Sequence, residues 1–167
     1  MPAKRSNTSP SLAALVGLRV AIGVLFLIFA EYKVLGTQFT LGGGMEMWIR
    51  RFLQDGAYPF MVPMLKNFVL PHAHVLAFFV AYGELAIGLS LLLGILVRPA
   101  SVFGFVYMLA LLFSSNYPGP HAAFWQYFGA SLDHSVLAFC FAAFAFANPD
   151  EILSVPRRMK PSSRNER

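Results

Sequence analysis

Residues 12–35 and 72–96 each form a long run in which charge is nearly absent. A helix needs roughly 20 apolar residues to cross a hydrocarbon core about 30 Å thick, so runs of this kind commit a chain to a bilayer. Two shorter apolar runs follow. Together they predict an all-α, polytopic membrane protein, a four-transmembrane-helix bundle with spans at about 12–35, 72–96, 100–115 and 130–147. Composition agrees: 57% of the 167 residues are hydrophobic and 13% are charged, about half the charged fraction of an ordinary soluble domain.

The net charge of +5 gathers at the ends, with Lys4 and Arg5 before the first run and Arg157, Arg158, Lys160, Arg164 and Arg167 after the last. Basic clusters beside spans set topology, so nucleic acid is excluded as a partner. The lone cysteine, Cys140, excludes an intrachain disulfide, a CxxC redox pair and a thiolate-held cluster built from this chain alone.

The chain divides into a tail at 1–11, one membrane domain at 12–149 and a basic tail at 150–167. Arg19 interrupts the first run and no A-x-A cleavage site follows, so the run reads as a retained span, not a signal peptide. The connection at 36–71 contains "MEMWIRRFLQ", whose Met45, Trp48, Ile49 and Phe52 recur at helical spacing. That pattern predicts an amphipathic helix lying in the membrane interface. "YPFMVPMLKNFVLP" carries three prolines and is expected to be broken. Arg98-Pro99 is expected to turn the chain, since proline disfavours helix at the residue before it. Four spans put both termini on one side. The excess of basic residues there makes that side cytoplasmic, in a plasma (inner) membrane, with His121, Trp125 and Tyr127 at the outer face.

The ionisable residues inside the spans are the candidate site. A charge at mid-membrane costs roughly 2.5–3.5 kcal/mol on insertion scales, so it turns inward and seeks a partner. Glu84 lies about 18 Å from either end of its run at 1.5 Å per residue, on a face with Ala77, Ala81 and Gly88. Arg19 sits about 10 Å inside the first run, within snorkelling reach, and an Arg19–Glu84 pair is expected. A second group lies where the first span ends and the fourth begins: Glu31, Lys33, Asp133 and His134. It is expected to line a shallow outer mouth. His72 and His74 lie two residues apart and face different ways on a helix. No metal ligand set and no haem are predicted.

"LRVAIGVLFLIFAEYKVLG", followed by "PHAHVLAFFVAYGELAIGLSLLLGILVRPAS" and "WQYFGASLDHSVLAF", resembles the DoxX/DoxD family of small four-helix membrane proteins. DoxD is the small subunit of thiosulfate:quinone oxidoreductase, and the resemblance implies a role in a membrane redox complex. Under that reading the chain is a quinone-linked enzyme subunit. Glu31, Asp133 and His134 handle protons, Glu84 with Arg19 is a buried relay or a structural clasp, Lys33 holds an anion such as thiosulfate with Arg19 also a substrate contact, and Trp125 flanks a quinone. Its partners are the lipid bilayer and a second oxidoreductase subunit on another chain, with a homo-oligomer also open. The rival readings are a non-catalytic anchor or assembly factor for a soluble oxidoreductase, and a small transporter.

Overall fold

The computed structural model describes residues 10–147. The expected tails fall outside the described residues, except that Pro10 and Ser11 already belong to the first helix. The described residues are helical, without strands: α1 (Pro10–Val34), α2 (Gly44–Asp55), α3 (Met61–Met64) continued by a π-helical turn (Leu65–Val69), α4 (Ala73–Leu93), α5 (Val97–Ser114), α6 (Gln126–Gly129) and α7 (Leu132–Phe146). Three helices, α1, α4 and α5, are long and apolar enough to cross a membrane. The 15 residues of α7 span about 22 Å at 1.5 Å per residue, short of a full crossing.

The helices associate as two antiparallel pairs. In the first, Gly23 of α1 lies against Leu92 and Gly88 of α4, Leu27 lies against Gly88, and Lys33 reaches Glu84. Rising numbers on one helix meet falling numbers on the other. In the second pair, Arg98 Nε of α5 donates to the Ala145 carbonyl near the end of α7, and the Phe141 ring fills the space above Gly104. Absent side chains at Gly23, Gly88 and Gly104 permit this closeness, which is how helices gain contact area where lipid tails are as apolar as leucine.

Two apolar clusters result. The lower one joins both pairs through Ile22, Phe26, Leu91, Met108, Phe141 and Phe144, with Phe26 and Phe141 edge to face at 5.2 Å between centroids. The upper one packs Met45 and Ile49 of α2, with Phe39 and Leu65, onto the Ala73, Ala77 and Ala81 stripe of α4. The amphipathic pattern of α2 is therefore spent on α4. Its polar side carries the Glu46–Arg50 and Arg51–Asp55 pairs.

Two local expectations are corrected. The turn between α4 and α5 falls at Gly94, Ile95 and Leu96, where Gly94 has φ 71 and Leu96 φ 54. Pro99 is the third residue of α5. The first four N–H groups of a helix have no partner within it, so proline there forfeits nothing. The same holds for Pro63, third in α3. The segment expected to break runs on from α3 through the π-helical turn, closed by Leu70 N–H donating to the Leu65 carbonyl at 2.9 Å.

Tyr58 ties the first connection to the loop after α5. Its N–H donates to the Phe113 carbonyl at 3.0 Å, and its hydroxyl to the Tyr127 carbonyl at 2.8 Å. Burial, then the neighbouring Tyr127 and Tyr117, push its phenol above the ordinary value.

Candidate functional site

Glu84 sits on α4 between the two apolar clusters, with its side chain 6% exposed. Its Oε1 is taken twice: Lys33 Nζ donates to it, and Tyr107 of α5 donates its hydroxyl at 2.6 Å. Lys33, in the last turn of α1, has its ammonium 5.1 Å from the Phe39 ring centroid, and its side chain keeps 16% exposure. One polar layer thus joins three helices, with a surface-reaching end at Lys33 and an inner end at Tyr107. Oε2 of Glu84 is buried and has no hydrogen-bond partner among the described residues.

The pair expected between Arg19 and Glu84 is replaced by Lys33–Glu84. Helix register decides this. Gly23 meets α4 near Gly88 and Leu92, so Arg19, one turn below Gly23, comes opposite the end of α4. Its guanidinium lies against Gly94, where an added Cβ would fall 2.8 Å from Nη1. Lys33, about 15 Å above Gly23, comes within reach of Glu84 from the other direction. The missed member is Tyr107. Its signal was present in "VFGFVYMLALLF", where the tyrosine is the polar group of an otherwise apolar run.

The outer group is dispersed. Glu31 is exposed on α1. Asp133 is 72% exposed, with Oδ1 3.3 Å from Nδ1 of its neighbour His134, which is partly buried. Among the described residues no hydrogen bond or ion pair joins Glu31 to either of them. Trp125 is 69% exposed beside Phe124 at 80%. Phe124 also packs edge to face on Phe128, with 5.3 Å between ring centroids. His72 and His74 are exposed, with their rings on Phe68 and Phe78.

A groove of about 570 Å³ opens between α4 and α5. Phe79, Val80 and Ile87 line it from α4, and Leu96, Pro99 and Phe103 flank it from the turn and α5. Glu84, Ser90 and Tyr107 are the polar residues among those that line it. Phe79 and Phe103 are each 71% exposed, so the groove faces outward between two helices of membrane-crossing length.

Long apolar helices whose exposed sides are Phe, Leu and Val define an integral membrane protein, multi-pass and embedded in lipid. The DoxX family profile matches residues 14–116. That is more than half of the chain, which belongs to the DoxX family. The match takes in α1 through α5, and so Lys33, Glu84 and Tyr107; it stops before α7. No curated protein and no solved structure gives a significant match.

Proposed function

We propose that this protein is the membrane-embedded, quinone-binding subunit of an oxidoreductase, with the headgroup site at Glu84, Lys33 and Tyr107. The supporting observation is one buried carboxylate, held by an ammonium and a phenol, in the wall of an apolar groove that opens toward lipid. Quinones travel in the hydrocarbon and need a lateral entrance. Their reduction takes two protons as well as two electrons, and protons need ionisable groups at the headgroup. Glu84 and Tyr107 meet the second need, and the flank of the α4–α5 groove meets the first. The volume also suits a small ring, since ligand sites commonly enclose about 300–1,000 Å³.

In this reading Glu84 holds the headgroup and Tyr107 fixes the carboxylate. Lys33 connects the pair to the surface, where Glu31, Asp133 and His134 exchange protons with water. Histidine suits that task because one ring nitrogen can accept a proton while the other donates one. The two electrons come from an anionic sulfur donor such as thiosulfate, as in the DoxD branch, or from a second subunit. Arg19 and Trp125, expected as anion and quinone contacts, do not line this groove and have no part in the headgroup site of this reading. Both termini are cytoplasmic and the membrane is the inner one, with α2 in the opposite interface and α7 completing a four-helix bundle.

The test is quinone reduction by the purified protein with its donor. Glu84→Gln lowers the rate at least about tenfold, the usual scale for a positioned acid or base being 10²–10⁴. His134→Ala lowers it less. Full rate in a folded Glu84→Gln protein refutes the reading.

The exposed hydrophobic residues Phe124, Trp125, Phe128 and Leu132 favour a second reading, a non-catalytic anchor for a soluble oxidoreductase. It predicts a partner whose binding is lost with Trp125→Glu and kept with Glu84→Gln.

A further inference from the structure

The Glu84 carboxylate is unequally used, and this gives the groove a chemical preference. Resting on the quinone reading above, we infer that the α4–α5 groove binds the reduced, hydroxyl-bearing quinol more tightly than the oxidised, carbonyl-bearing quinone. Oε1 already accepts from Lys33 and Tyr107. Oε2 is buried and has no donor among the described residues, and Glu84 is one of the residues that line the groove. A carboxylate oxygen only accepts, and a buried acceptor left unmet carries its full desolvation penalty. A quinol brings an O–H to meet it. A quinone carbonyl brings lone pairs against lone pairs.

The nearby donors do not reverse this preference. The Tyr107 hydrogen and a Lys33 hydrogen are both directed at Oε1. The third polar side chain in the wall, Ser90, lies six residues along α4, about 9 Å from Glu84 at 1.5 Å per residue. The remaining lining is hydrocarbon and aromatic ring, which treats the two oxidation states alike.

Preference between oxidation states is also a statement about potential. For a two-electron couple, every tenfold tighter binding of the reduced form raises the bound potential by about 30 mV. The groove therefore makes its quinone a better electron acceptor than the same molecule free in lipid.

The experiment measures anaerobic binding of a decyl-substituted benzoquinone and of its quinol to the full chain in lipid nanodiscs. The quinol is expected to bind at least about tenfold tighter, the scale of a hydrogen bond to a charged group. The quinol dimethyl ether, which keeps the shape and loses both donors, is expected to fall to the level of the quinone. Gly83→Leu should abolish binding of all three. Gly83 lines the groove, and a Cβ there meets nothing within 4 Å, so the added side chain fills the space without disturbing the helix pairs. Glu84→Gln should erase the preference, because an amide offers both donor and acceptor. Where that variant does not fold, the dimethyl ether carries the same test on the unaltered protein.

Equal binding of quinol and quinone, or tighter quinone binding, with both lost in Gly83→Leu, overturns the inference and leaves the quinone reading standing. Binding of neither, or binding indifferent to Gly83→Leu, overturns both.

Discussion

The two helix pairs solve one packing problem in different ways. In α1 with α4 the close approach is backbone against backbone: a Cβ on Gly23 would stand 2.9 Å from the Leu92 nitrogen and 3.1 Å from the Gly88 oxygen. In α5 with α7 it is backbone against ring, with Phe141 laid over Gly104. The first pair then adds a buried ion pair through Lys33 and Glu84, whereas the second adds polar contacts at its two ends: Arg98 donates to the Ala145 carbonyl at 3.2 Å, and Asn116, just past α5, donates to the Ser131 hydroxyl at the start of α7 at 3.1 Å. In the second pair the packing of Phe141 over Gly104 can be tuned by side-chain volume. The charged pair depends on each partner having the other, because a buried ion whose mate is removed costs more than the pair ever contributed.

The largest expected effect is the loss of one ion. Lys33→Met should destabilise the protein by about 3 kcal/mol, the lower end for a broken buried pair, since Lys33 keeps some exposure. Thermal unfolding in detergent reads it. Lys33→Met with Glu84→Leu should recover most of that stability while quinone reduction stays lost. If the double variant is as unstable as the single one, the two residues are not coupled as described.

Smaller effects separate the glycines. Gly104→Ala should cost about 1–3 kcal/mol through overpacking, and adding Phe141→Leu should restore part of it. Gly23→Ala should cost a similar amount, but no side-chain truncation should rescue it, because its obstacles are main-chain atoms. A rescue at Gly23 would show that the helices separate easily. The smallest effect is on the polar side of α2. Glu46→Ala removes an exposed pair with Arg50 and should change stability by no more than about 0.5 kcal/mol.

The long helices were legible because hydrophobicity over about twenty residues has few other meanings. Spans expected at 12–35, 72–96 and 100–115 became α1, α4 and α5 with ends moved by a few residues. The candidate site was half legible. Glu84 stood out as a carboxylate in an apolar run, but its partner was misassigned. Choosing between Arg19 and Lys33 requires the vertical register of two helices, which is set by where Gly23 and Gly88 touch. Hydropathy carries no such information, although two glycines on facing stripes were a usable hint. Proline misled twice, at Pro63 and Pro99, because its cost depends on whether it falls in a first turn. The outer group was expected to line a shallow mouth rather than to meet at one point. Residues near helix ends share a height without sharing an azimuth, and Glu31 projects away from the α1 side that Ile22, Phe26 and Ala30 bury.

One consequence follows from α1 stopping partway along α4. Above Lys33 the inner side of α4 is roofed by α2, whose Glu46, Arg50 and Arg51 face outward and do not belong in oil. On the groove side Phe79 of the same helix stays bare and calls for full-depth hydrocarbon. The insulating slab is thus thin on one flank of Glu84 and thick on the other. That single carboxylate forms a partition between two solvents, wetted through an ammonium on one side and greased on the other.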